Sequence, residues 1–155
     1  MSLSAGYLTP KQKLVWKLKN TGLQEATIAR RLKVTRQTIH KALNTANSKV
    51  YTSLEETARI NKIRIEKTDP SLGILTGYST HFKTVALITF SAKNGVQIWY
   101  KHQGDCKNCE DLQTCRESLL AEARDRNVSL PENSTTALPS ELAETLFTKL
   151  TGGKG

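Results

Sequence analysis

Two groups of residues in this 155-residue sequence have types and spacing suited to chemistry. The first is Arg36, Gln37, His40, Lys41 and Asn44, spaced i, i+1, i+4, i+5, i+8. On a helix those positions share one face. An arginine forks onto guanine, and a glutamine or asparagine onto adenine, in the major groove of DNA. Arg36 and Gln37, at the start of the expected helix, are the best placed to reach base edges, with His40 and Lys41 next. Nearby Arg30, Arg31, Lys33 and the Thr35 hydroxyl suit phosphate contacts, which position a protein without reading sequence. Ile28, Leu32, Ile39 and Leu43 fall on the complementary positions, so an apolar face backs the polar one.

The second group is His102-x3-Cys106-x2-Cys109-x5-Cys115. Four soft or borderline ligands at that spacing fit a tetrahedral zinc site. An iron–sulfur cluster is an alternative, and a metal-free thiol cluster is another. Lys101, Lys107 and Arg116 are expected to lower thiol pKa values. Nothing else in the chain points to catalysis. Asp69, Asp105, Asp111 and Asp125 are scattered rather than clustered as metal carboxylates, and Ser79-Thr80-His81 reads as a turn without a partner acid. No enzyme is therefore expected. A recombinase- or transposase-type DNA-binding part and a protein-interaction module are the rival classes.

The elements that must position these residues follow from periodicity and punctuation. Thr9-Pro10 marks a helix start and Gly22 its end. Residues 24–32 and 36–46 read as two helices about a Lys33-Val34-Thr35 turn. A further helical pattern covers 48–66, where Tyr51, Leu54, Ala58 and Ile65 form an apolar seam suited to a homodimer. Asp69-Pro70 breaks the chain, and a domain boundary is expected there. The period then becomes two. Strands are expected at 73–78, 84–90 and 96–101, with a turn at Asn94-Gly95. Val85, Leu87 and Thr89 should alternate with Ala86, Ile88 and Phe90. Helices are expected at 112–126 and 140–150, joined by a polar linker over 127–138. The fold class is thus α+β. An all-α helix-turn-helix domain at 8–68 precedes a small antiparallel-sheet-plus-helix domain at 70–150, the latter sensing an unknown effector or mediating assembly.

Charge separates the same two parts. Residues 1–68 carry 14 Lys and Arg against 4 Asp and Glu, and residues 69–155 carry 9 against 10. The basic half points to a polyanion, here double-stranded DNA. No apolar run approaches bilayer length, no leader pattern is visible, and three cysteines do not make a secreted disulfide framework. A cytoplasmic protein without a membrane partner is expected.

Leu8-Thr9-Pro10-Lys11-Gln12, Gly22-Leu23 and the segment Glu25–Leu43 together resemble LuxR-type helix-turn-helix domains. They are also similar to the promoter-reading domain of sigma factors and to archaeal Tfx-type regulators. The resemblance covers about residues 8–46. It implies a recognition helix over Thr35–Asn44, transcription regulation, and dimerisation through a following helix. Lys33 departs from it, standing where many such domains have glycine.

Overall fold

The structure, a computed structural model, describes residues 8–101 and 105–152. It is α+β, with five α-helices and one four-stranded antiparallel sheet, and helices lie on both sides of the sheet in chain order. The chain divides into two compact units, residues 1–101 and 102–155.

The first unit opens with α1, Pro10–Asn20. Thr9 caps it reciprocally: Gln12 N donates to Thr9 Oγ1 at 3.2 Å, and Thr9 N donates to Gln12 Oε1 at 3.0 Å. Helix α2 is Glu25–Leu32, and α3 is Arg36–Ile60. The expected helices at 36–46 and 48–66 are therefore one 25-residue helix that stops six residues early. Its continuity follows from one stripe of buried residues, Ile39, Leu43, Ala46, Val50, Leu54 and Ala58, at helical spacing. Its end follows from Asn61, whose side-chain amide donates to Thr57 O at 2.8 Å, and from Lys62, which turns the chain through φ +56.

Strand β1, Ile63–Asp69, replaces the rest of the expected helix. It pairs with β2, Ile74–Ser79, from Ile63 opposite Ser79 to Asp69 opposite Ile74, with a bulge between Ile65 and Lys67. Strand β3, Thr84–Ser91, pairs with β2, and β4, Gly95–Tyr100, pairs with β3, giving the order β1-β2-β3-β4. Asp69-Pro70 is thus a hairpin turn inside one unit, not a boundary between domains. Asp69 Oδ1 accepts from Ser71 Oγ at 2.6 Å and from Leu72 N at 3.2 Å, which tightens the turn. Gly73 completes it at φ +69, where a Cβ would strike the Phe90 carbonyl and the Trp16 ring.

Two apolar clusters hold this unit together. Val15, Ile28, Ala29, Ile39 and Leu43 pack α1, α2 and the first half of α3. Trp16, Ala46, Val50, Leu54 and Ala58 pack the second half of α3 and α1 against Ile63, Leu75, Ala86, Ile88 and Phe90 of the sheet. Trp16 meets Phe90 edge-on, with ring centroids 5.3 Å apart. Helices α1 and α3 each contribute to both clusters, so the sheet and the helical trio share their supports. The expected alternation on β3 holds for Ala86, Ile88 and Phe90. Leu87 and Thr89 are buried as well: Trp99 of β4 stands opposite Leu87, and its Nε1 donates to Thr89 Oγ1 at 2.8 Å.

This packing overturns the seam expected for a dimer. Leu54 and Ala58 have no exposed surface, being covered by the chain's own sheet, and Ile65 lies on β1 rather than on the helix.

The second unit contains α4, Leu112–Asp125, and α5, Pro139–Leu150. The expected linker between them is ordered by specific contacts. A short 3-10 turn spans Glu132–Thr135, and the Arg116 guanidinium donates to Ala137 O at 3.0 Å and Thr136 O at 3.4 Å. Among the described residues no helix is long and apolar enough to cross a membrane.

Candidate nucleic-acid interface

The turn between α2 and α3 sets the geometry of the site. Lys33 caps α2 in the left-handed region, φ +56 and ψ 45. That conformation costs an L-residue about 1–2 kcal/mol and is free for glycine, which explains why glycine suits this position in similar motifs. The cost is met by contacts on either side. Val34 N donates to Ala29 O at 3.0 Å, and the Val34 side chain packs on the cluster of Ile28 and Ile39. Thr35 then caps α3, its Oγ1 accepting from Thr38 N at 3.1 Å.

All nine residues expected to meet DNA are exposed: Arg30, Arg31, Lys33, Thr35, Arg36, Gln37, His40, Lys41 and Asn44. The five on α3 lie opposite the buried Ile39 and Leu43. They are thus brought together on one face, two turns long, at the N-terminal end of a longer helix. Arg30 and Arg31 stand in the last turn of α2, where the negative end of the helix dipole favours cations. Arg30 Nη2 also reaches Thr27 Oγ1 at 3.5 Å.

Reading the sequence did not single out Glu25, the first residue of α2. Its carboxylate lies 3.2 Å from His40 Nδ1 through both oxygens, and Oε2 lies 3.9 Å from Arg36 Nε. The contacts span 11 and 15 positions in sequence and exist only because α2 crosses the start of α3. Side-chain exposure is 75% for Arg36, 62% for His40 and 20% for Glu25. An exposed ion pair such as that of Glu25 with Arg36 contributes about 0–1 kcal/mol, so it does not lock the arginine away from another partner.

The cysteines lie in the second unit. Cys106 opens a single 3-10 turn, Cys109 N donates back to Cys106 O at 3.4 Å, and Cys115 sits in the first turns of α4. Cys109 and Cys115 are exposed, and Cys106 is partly so. Desolvation, the Asp111 carboxylate and the neighbouring Cys109 and Cys106 thiols push the Cys115 thiol above its usual range. That is the reverse of the expected lowering. Arg116 does not offset it, because its guanidinium is turned onto the Thr136 and Ala137 carbonyls and Gln113. His102, the expected fourth ligand, lies outside the described residues. Among the described residues no group of three or more His, Cys, Asp or Glu side chains is arranged to hold a metal ion.

Ser79-Thr80-His81 forms the turn that was expected of it. Thr80 Oγ1 donates to Lys62 O at 3.0 Å, and Phe82 N donates to Ser79 Oγ at 3.0 Å. The chain matches no protein-family model, no curated protein and no solved structure.

Proposed function

We propose that this protein is a sequence-specific DNA-binding transcription regulator of the helix-turn-helix type, with the N-terminal part of α3 read into the major groove. The observation that carries this reading is the exposed stripe Arg36, Gln37, His40, Lys41, Asn44, backed by the buried Ile39 and Leu43 and preceded by a capped turn. Charge supports it. Residues 1–101 hold 17 Lys and Arg against 5 Asp and Glu, while residues 102–155 hold 6 against 9. A polyanion partner thus belongs to the unit that carries the stripe. In this reading Arg36 and Gln37 meet base edges, and Arg30, Arg31, Lys33 and Thr35 meet phosphates. The protein acts by occupying its site and performs no reaction.

Selection of bound duplexes from a random library tests the reading directly. The unmodified protein should return a defined motif. Arg36→Ala should relax one base position at a cost of about 1–3 kcal/mol, as loss of a bidentate guanine contact requires. Lys33→Ala should weaken all sequences alike and lower the salt slope by about one unit. An unchanged motif from Arg36→Ala removes that residue from the reading role.

Two further parts of the proposal concern assembly and metal. The protein binds as a homodimer on a two-fold site with half-sites about one DNA turn apart. With Leu54 and Ala58 inside the core, Tyr51 and Ile65 are the residues of that seam left exposed for the contact, and light scattering at micromolar concentration gives the stoichiometry. Cys106, Cys109 and Cys115 bind zinc with His102 as fourth ligand, a reading supported by the ligand spacing in the sequence. Elemental analysis of protein purified without chelators should find about one zinc per chain, reduced by Cys→Ser at any of the three positions. Metal-free protein whose three thiols all react freely would eliminate the site.

A further inference from the structure

We propose that Glu25 is the positioning residue of the recognition face: from the start of α2 its carboxylate orients Arg36 and His40, and so decides which base edges those two side chains accept. The inference rests on the DNA-binding reading above and adds a residue that touches no base in it. Arg36 and His40 are one turn apart on α3, and a single carboxylate faces both, at 3.9 Å from Nε and 3.2 Å from Nδ1. Glu25 is itself held in place. It occupies the first turn of α2, where the positive end of the helix dipole favours an anion. It is also much less exposed than the two side chains it faces.

The consequence for each reader follows from donor and acceptor chemistry. An ionised carboxylate only accepts, so the His40 ring nitrogen facing it must carry the hydrogen. In the neutral ring Nε2 is then an acceptor, suited to the exocyclic amino group of cytosine or adenine. For Arg36 the carboxylate faces Nε, so the two terminal nitrogens remain on the outward edge. Those are the atoms that fork onto the N7 and O6 acceptors of guanine. With Glu25 in place, the arginine is directed at guanine and the histidine at a base with an amino group, one helical turn along the groove.

Glu25→Gln keeps the shape and removes both the charge and the acceptor-only character. In the library selection it should lower the preference at two base positions about three-fold each, the size that loss of an exposed contact of this kind allows, toward the Arg36→Ala level at the first. Affinity for non-specific duplex should stay the same or rise, because one negative charge near the phosphates is gone. Combining Glu25→Gln with Arg36→Ala should add nothing at the Arg36 position. A motif identical to that of the unmodified protein overturns the proposal, and so does a uniform loss at every position, which would mean a structural role. Nitrogen NMR of the free protein separates this failure from that of the DNA-binding reading. The His40 ring should hold its hydrogen on Nδ1 in the unmodified protein and become a tautomer mixture in Glu25→Gln. Should the library return no motif for either protein, DNA reading fails, and base selection by Glu25 fails with it. A ring tautomer that ignores Glu25→Gln overturns the positioning role whatever the library returns.

Discussion

Leu54→Lys should unfold residues 8–101 as one body, with a loss of about 4 kcal/mol or more. Leu54 is fully buried in the middle of α3, between Val50, Ala58 and the sheet residues Ile63, Leu75 and Ile88. An ammonium placed there has no carboxylate in the cluster to meet it, and burial of an unpaired charge is among the few single changes this costly. A marginal domain holds about 5–15 kcal/mol in total, so the loss takes a large share. Because α3 supports both apolar clusters, damage at its centre should reach the exposed stripe at its N-terminal end as well, and with it the proposed DNA binding. Urea unfolding followed by helix dichroism and Trp16 fluorescence measures the effect. Ile60→Lys is the control. That side chain is 75% exposed at the end of the same helix, and its replacement should stay within about 0.5 kcal/mol. Equal stability of the two variants would mean that the sheet does not cover α3.

How much of this was legible in the sequence depended on whether the deciding contact was local. The cap at Thr9, the glycine at the end of α1, the turn at Lys33–Thr35 and the Asn94-Gly95 hairpin are fixed by residues within about six positions of each other, and each lies where expected. The exposed polar face of Arg36, Gln37, His40, Lys41 and Asn44 was legible for the same reason, since its apolar backing repeats within one helix. What failed were the decisions made by distant partners. The helical pattern runs on to residue 66, and only pairing with β2 makes Ile63–Asp69 a strand. Leu54 and Ala58 look like a free seam until the sheet that covers them is in view. Asp69-Pro70 breaks the chain as expected, but a hairpin and a domain linker share that signature, and packing on α3 selects the hairpin. Glu25 illustrates the limit at the site itself. No spacing rule links it to Arg36 and His40, because their meeting depends on the crossing of two helices.

Arg126→Met should destabilise the second unit by about 3–5 kcal/mol, through the carboxylate it leaves behind. Glu122 on α4 is fully buried, and its Oε1 accepts from Arg126 Nε at 2.8 Å, with the arginine side chain 10% exposed. Taking two charges out of water is costly, and their attraction roughly offsets that cost only while both are present. Removing the guanidinium keeps the desolvation of Glu122 and discards the Arg126 bond that offsets part of it. Replacing both, as Glu122→Leu with Arg126→Met, removes the desolvation too and should restore stability to within about 1 kcal/mol of the original. The distinction matters because the pair sits at the C-terminal end of α4, where Arg126 N and Asn127 N donate back to Glu122 O and Arg124 O and the chain turns toward the segment that reaches α5. Amide hydrogen exchange on α4 and α5 is the suitable measurement, since both tryptophans lie in the first unit and report nothing on the second. Exchange should accelerate on both helices in Arg126→Met and return near its original rate in the double variant. Equal acceleration in the two variants would show that the ion pair contributes its own net stability, and that the buried carboxylate is not the source of the loss.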